Sequence, residues 1–204
     1  MMMKRLIVEF IGTFFLVLVI AMTGNPLAIG AVLTALVYMG GYISGAHYNP
    51  AVTLALLINK KITTPLAFQY MITQFIAGFI AAAVFFIITG NKFIPQPAVN
   101  TRIAGAILVE VLFTFLLAFV VLHVAATNKT KGNNYFGLAI GFTVMAIAFA
   151  GGPISGGVYN PAIGVGPILF DFANISGYIT SLIIYVLGPF IGGGLAGILY
   201  KNIG

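Results

Sequence analysis

Asn49 and Asn160 are the residues of this chain whose type and placement could act on a passing molecule. Each opens an Asn-Pro-Ala triplet, Asn49-Pro50-Ala51 and Asn160-Pro161-Ala162. Each triplet closes one copy of a repeated block, GGYISGAHYNPA from Gly40 to Ala51 and GGPISGGVYNPA from Gly151 to Ala162, with 9 of 12 residues identical. Asn is a strong N-cap, because its side-chain oxygen accepts a free backbone N–H of the first turn. Pro is favoured at the next position, where its missing N–H costs nothing. Each triplet therefore starts a helix. With the oxygen used in the cap, the NH2 of each Asn stays free to donate. Where two such starts meet, two positive dipole ends face one point. Small neutral acceptors such as water are held there, while cations and protons meet a positive barrier.

Few other groups carry chemistry. Three acids, two separated histidines and no cysteine supply neither a metal cluster nor a nucleophile triad, so neither an enzyme nor a cofactor is expected. Glu9 and Glu110 lie inside apolar stretches, where a charge costs on the order of 3 kcal/mol or more. They are equivalent: Ile7 to Thr23 resembles Leu108 to Thr127, pairing Glu9 with Glu110 and Thr13 with Thr114. Their expected role is structural, accepting free backbone N–H groups of the segments that lead into the triplets. His47 is expected to fix its loop by a hydrogen bond, beside the path of any permeant. No special role is expected of His123. Asp171 is expected to be solvated on the outer face. Asn174-Ile175-Ser176 matches an N-glycosylation acceptor, a short pattern that often arises by accident.

Composition says where the two helix starts must stand. Of 204 residues, 61% are hydrophobic and 6% charged, with a mean hydropathy of +1.13. A soluble domain carries about 25% charged residues. The chain is an integral membrane protein, and its first partner is the lipid bilayer. The net charge of +6 is scattered between apolar runs, so no nucleic-acid partner is expected. A spanning helix needs about 20 mostly apolar residues. Stretches at roughly 5–23, 27–43, 66–89, 103–126, 135–150 and 176–200 qualify or come close. Two pieces, about 49–58 and 160–170, reach about 15 Å, half of a 30 Å hydrocarbon core. They read as re-entrant half-helices. The N-terminal stretch could pass for a secretory signal, but its likeness to 108–127 makes it the first span.

Repeat one (1–98) and repeat two (99–204) thus each hold three spans and one half-helix within a single channel domain, 1–204. Three is odd, so the second repeat enters the membrane inverted, as in many transport proteins. The expected fold is an all-α membrane protein of six transmembrane helices plus two re-entrant half-helices. Lys4, Arg5, Lys60, Lys61, Lys129, Lys131 and Lys201 fall on one side, against Lys92 and Arg102 on the other. The positive-inside rule then places both termini in the cytoplasm. The approaches to the triplets, Gly45-Ala46-His47 and Gly156-Gly157-Val158, are too irregular for helix. Non-helical backbone at membrane depth is tolerated only where it is buried in protein or lines a watery cavity, so these segments are expected to line a pore. Gly30 and Gly141 each stand 19 residues before their repeat's Asn. They are expected where the second and fifth spans cross, because glycine lets two backbones approach. Gly192, Gly193, Gly194 and Gly197 give the last span a similar face.

Beyond the triplets, Glu9, Thr13 and Phe14 match Glu110, Thr114 and Phe115, Ser44 to Val52 reads SGAHYNPAV, Gln74 and Gly78 share a span, and Gly166-Pro167 follows the second triplet. Over nearly its whole length the chain resembles the aquaporin and glycerol-facilitator family, the major intrinsic proteins. The resemblance implies a passive, cofactor-free homotetramer with one pore per subunit, set in the plasma (inner) membrane. It also implies a selectivity filter at Ile29, Ala148, Gly157 and Ile163, placed by distance from each Asn. The family usually has Arg at the last of these, and water-selective relatives usually have an aromatic residue and a His at the first two. Val52 and Ile163, three residues past each Asn, are here both aliphatic. A filter Arg repels cations and replaces a permeant's hydration. Without it, polar solutes lose roughly 1–3 kcal/mol per unpaired group, and less polar neutral molecules lose less. The expected function is passage of water and/or small neutral solutes, glycerol-, urea-, ammonia- or gas-like, through a wide apolar filter. Two rival readings stand beside it. A secondary transporter on the same inverted repeat would need midplane acids, and Glu9 and Glu110 lie near span ends. A structural membrane protein with a closed pore would need more loop and tail than the sequence offers.

Overall fold

The computed structural model describes residues 2–204. Among them run the helices α1 (Met2–Thr23), α2 (Pro26–Ser44), α3 (Pro50–Ile58), α4 (Thr64–Thr89), α5 (Ile103–Val124), α6 (Phe136–Ser155), α7 (Pro161–Phe170) and α8 (Ile179–Ile203). Short 3-10 turns occupy Asn128–Thr130 and Phe172–Tyr178. Six of these helices, α1, α2, α4, α5, α6 and α8, are long and apolar enough to cross a membrane. The others, α3 and α7, have 9 and 10 residues and cannot. The protein is an all-α membrane protein with six transmembrane helices and two half-helices in an inverted repeat.

The helix ends follow from local chemistry. Asn25 caps α2 by accepting the Leu27 N–H at 2.8 Å, with Pro26 at the first position. Both α2 and α6 stop at a left-handed glycine, Gly45 (φ 93°) and Gly156 (φ 89°), a conformation that costs glycine little. The sequence reading ended the fifth span near 150, but α6 continues to Ser155 through Pro153. Proline there forfeits one intrahelical bond in the last turn, and Gly156 supplies the actual stop.

Each half-helix packs on the last span of the opposite repeat, α3 on α8 and α7 on α4. Glycines make this fit. A Cβ on Gly193 would collide with the Ala51 carbonyl, and one on Gly78 with the Ala162 carbonyl. Where α2 crosses α6, a Cβ on Gly30 would stand 2.7 Å from the Gly141 carbonyl oxygen. The outside is apolar, with Ile72, Ile87, Leu112 and Phe142 all exposed. The buried polar residues gather inside instead, among them Glu9, Ser44, Gln74, Glu110, Ser155 and both triplet asparagines. That is the distribution a hydrocarbon solvent requires.

Candidate functional site

Asn49 and Asn160 sit where the two half-helices meet tip to tip. Each has extended backbone (φ −154° at both) and caps its helix, Oδ1 accepting from Ala51 N at 2.9 Å and from Ala162 N at 3.0 Å. The tips are laced reciprocally. Asn49 Nδ2 donates to the Tyr159 carbonyl at 2.8 Å, and Asn160 Nδ2 donates to the Tyr48 carbonyl at 2.9 Å. The sequence reading left each NH2 wholly free. One of its two N–H groups is in fact spent on the opposite loop, and one remains.

The loops that deliver the asparagines are strained and held by acids. Ala46 (φ 51°), Tyr48 (φ 49°), Gly157 (φ 68°) and Tyr159 (φ 47°) all adopt left-handed backbone. For bulky residues such a conformation costs of order 1–3 kcal/mol each and persists only where the surroundings impose it. Glu9 imposes it on the first loop, accepting from His47 N at 3.0 Å and Tyr48 N at 2.8 Å. Ser44 Oγ at 2.7 Å and Gln74 Nε2 at 2.9 Å complete its shell. Glu110 holds the second loop through Val158 N at 3.0 Å, Tyr159 N at 2.6 Å and Ser155 Oγ at 2.8 Å. Both carboxylates are fully buried. Because a trans peptide points its N–H and C=O in opposite directions, the carbonyls of Ala46, His47, Gly157 and Val158 face away from the acids. Those four residues border the central cavity, while Gly45 and Gly156 border the vestibules on either side.

Tyr48 Oη donates to the Leu36 carbonyl at 2.9 Å, and Tyr159 Oη to the Ile147 carbonyl at 3.0 Å. Tyr70 and Tyr185 donate to the carbonyls of Ser44 and Ser155 at 2.8 and 2.7 Å. Sequence reasoning singled out none of these residues. Ser44, Ser155, Tyr48 and Tyr159 carried a signal, identity in both copies of the block, whereas Tyr70 and Tyr185 carried none. His47 Nδ1 lies 3.1 Å from Thr53 Oγ1, whose own hydrogen goes to the Asn49 carbonyl at 3.0 Å. That arrangement places the imidazole hydrogen on Nδ1 and leaves Nε2 an acceptor. His123 bonds Phe119 O at 2.8 Å and stands edge-on to Tyr200.

Cavities run in series through the molecule. On the face of the α4–α5 segment, termed outer after the expected orientation, a vestibule of about 230 Å³ walled partly by Phe93, Pro95 and Gln96 leads to a central cavity of about 50 Å³. Inner vestibules of about 460 and 650 Å³ follow. The central cavity has room for a short file of waters. Its walls are mostly aliphatic, including Leu16, Leu33, Val37, Val121 and Val144, with His47, Asn49, Tyr48, Tyr159 and Asn160 the residues able to hydrogen-bond by side chain. Ile29, Ala148, Gly157 and Ile163, joined by Ile20 and Val158, border both the outer vestibule and the central cavity and so form the rim between them. Ile29 is 7% exposed and Ile163 5%. No side chain of that rim bears a polar atom.

The family model described as major intrinsic protein matches residues 1–200. The chain belongs to the major intrinsic protein family. It is 32% identical to aquaporin NIP1-4 of Oryza sativa subsp. japonica, over 98% of this chain and 77% of that protein. It is 33% identical to glycerol uptake facilitator protein-like 6 of Lactiplantibacillus plantarum, over 99% of each. The X-ray structure of the aquaglyceroporin from Plasmodium falciparum matches with a TM-score of 0.84, covering 100% of this chain and 97% of that one. At 19% identity, that likeness is one of fold.

In this major intrinsic protein the end of the second half-helix departs from the sequence reading. Asp171 is not solvated: it is 4% exposed and accepts from Lys92 Nζ at 2.7 Å, Tyr178 Oη at 2.8 Å and Asn174 Nδ2 at 2.9 Å. The Lys92 ammonium, with the Tyr178 hydroxyl and the Asn174 amide, holds this carboxyl below the ordinary 3.8. The bridge ties the α4–α5 segment, which walls the outer vestibule, to the end of α7. Its partner stands 79 residues away in sequence, beyond the reach of local pattern. The Asn174 amide of the acceptor-like triplet is spent on the same carboxylate.

Proposed function

We propose that this protein is a passive pore for water and small neutral solutes whose selectivity filter is Ile29, Ala148, Gly157 and Ile163. The observation that carries the proposal is the rim between outer vestibule and central cavity, where no side chain offers a polar atom. A molecule crossing it leaves its water shell and finds no side-chain replacement, only backbone carbonyls beginning at Gly157, until it reaches the free N–H groups of Asn49 and Asn160. Each unreplaced hydrogen bond costs roughly 1–3 kcal/mol. Ammonia- and gas-like molecules, which have few hydrogen bonds to lose, therefore fare best at this rim, while glycerol- and urea-like solutes gain from the bore that an arginine would otherwise fill. The bore is the room left by small and branched aliphatic residues.

Passive flow also fits the state of the acids. Glu9 and Glu110 are occupied by loop donors, so neither is free to carry a proton or sodium ion as a coupled transporter would require. In this reading the two repeats, 1–98 and 99–204, contribute one half-helix each to a single pore. The face bearing Lys60, Lys61, Lys129 and Lys201 lies in the cytoplasm of a plasma (inner) membrane, and four subunits associate with one pore apiece. Stopped-flow light scattering of proteoliposomes against glycerol and urea tests the reading. Shrinkage followed by re-swelling several-fold faster than in empty liposomes is expected. Fast water flux with no solute entry would sink it.

A further inference from the structure

Away from the pore, a cavity of about 450 Å³ opens on the basic face, bordered by Lys60, Lys61, Lys129 and Lys201. The lysines come from the end of α3, the α5–α6 connection and the end of α8. All four are exposed, and Thr127 and Asn128 add polar atoms to the wall. No carboxylate side chain among the described residues borders it. The chain's three acids are engaged elsewhere, Glu9 and Glu110 with the pore loops and Asp171 with Lys92, which form the one ion pair among the described residues. The C-terminal ends of α3 and α8 offer partial negative charge, and even a terminal carboxylate on Gly204, which borders the cavity, leaves the four ammonium groups in excess.

The backbone of this wall is built rather than incidental. Lys60 takes the left-handed conformation (φ 55°), the place at a helix end that usually falls to glycine. Its N–H bonds Leu57 O at 2.9 Å and that of Lys61 bonds Leu56 O at 2.9 Å, closing the turn. Asn59 Nδ2 donates to Ala55 O and Gly197 O, both at 2.9 Å, locking this turn to α8. A charged residue kept at a strained position that glycine would fill more easily points to a use for its side chain. We propose that this cavity binds a phosphate group, above all that of an anionic lipid head group in the adjoining leaflet. Lysines are effective point-charge partners for phosphate, and basic pockets at helix ends on a membrane face take up anionic head groups.

Native mass spectrometry of the full-length protein tests this, with phosphatidylglycerol and phosphatidylcholine of matched chains as probes. The wild type is expected to retain phosphatidylglycerol in preference, and each lysine removed should weaken retention roughly fivefold. Lys60→Gly is the informative single variant, because glycine suits the left-handed turn and the fold is kept or strengthened. The triple variant Lys60→Gly/Lys129→Gln/Lys201→Gln, which keeps Lys61, should retain phosphatidylglycerol roughly a hundredfold more weakly than the wild type. A parallel thermal-unfolding series with millimolar inorganic phosphate in phosphatidylcholine separates the sources. A rise in the wild type but not the triple variant shows the same site serving a soluble phosphate. Equal phosphatidylglycerol retention by wild type and triple variant, with no phosphate-dependent difference between them, would overturn the proposal.

Discussion

A carboxylate persists at membrane depth here because donors surround it, four at Glu9 and three at Glu110. The two sites differ by Gln74, which serves Glu9 and has no counterpart bonded to Glu110. Gln74 Oε1 is buried without a partner, so its amide can turn over to accept from a neighbour. Glu110→Gln is therefore predicted to destabilise the protein by about 3 kcal/mol, since hydrogen bonds to charged groups contribute about 1.5–3 kcal/mol each. Glu9→Gln, rescued in part by Gln74, should cost clearly less. Thermal unfolding of both variants in detergent ranks them, and the reverse order would deny Gln74 this role. The paired glutamates were legible in sequence because duplication placed them at matching positions. Asp171 was not, because burial depends on Lys92 arriving from a distant segment. Its folded value lies below 3.8, so the stability it contributes is present above that pH and lost only as pH falls further. The gap in unfolding temperature between wild type and Asp171→Asn should hold from neutral pH to about 4 and then close.

At the scale of elements, the half-helices are held by spans of the opposite repeat, with Gly193 beneath Ala51 and Gly78 beneath Ala162. A side chain at either glycine must push a triplet out of line. Gly193→Val and Gly78→Val should cost about 1–3 kcal/mol from overpacking and reduce flux of every permeant together. A selective loss of one solute would instead mean that these glycines act on the filter. The helices themselves were readable from apolar length and Asn-Pro starts. Less readable was the strained loop geometry, since nothing in Tyr48 or Tyr159 as residue types announces left-handed backbone. The end of α6 was missed for a related reason. Proline near a helix terminus costs one bond, and the true stop is the glycine after it.

For the molecule as a whole, the inverted repeat makes a pore whose two tips are chemically alike but whose rim lacks polar side chains. The scattered lysines sort onto one face, and Lys92 with Arg102 onto the other. Cysteines introduced singly at Lys60 and Arg102 should react with an impermeant maleimide from opposite sides of sealed vesicles; labelling from the same side would contradict the topology. In the proposed pore Ile163 decides what passes, and the measurement that tests this is the ratio of glycerol to water permeability in proteoliposomes of wild type and Ile163→Arg. Restoring a guanidinium to the rim supplies donors for water while filling the bore. The ratio is predicted to fall roughly tenfold or more, consistent with about 1–3 kcal/mol per hydrogen bond left unpaired or regained. An unchanged ratio would contradict a rim at which Ile163 decides what passes.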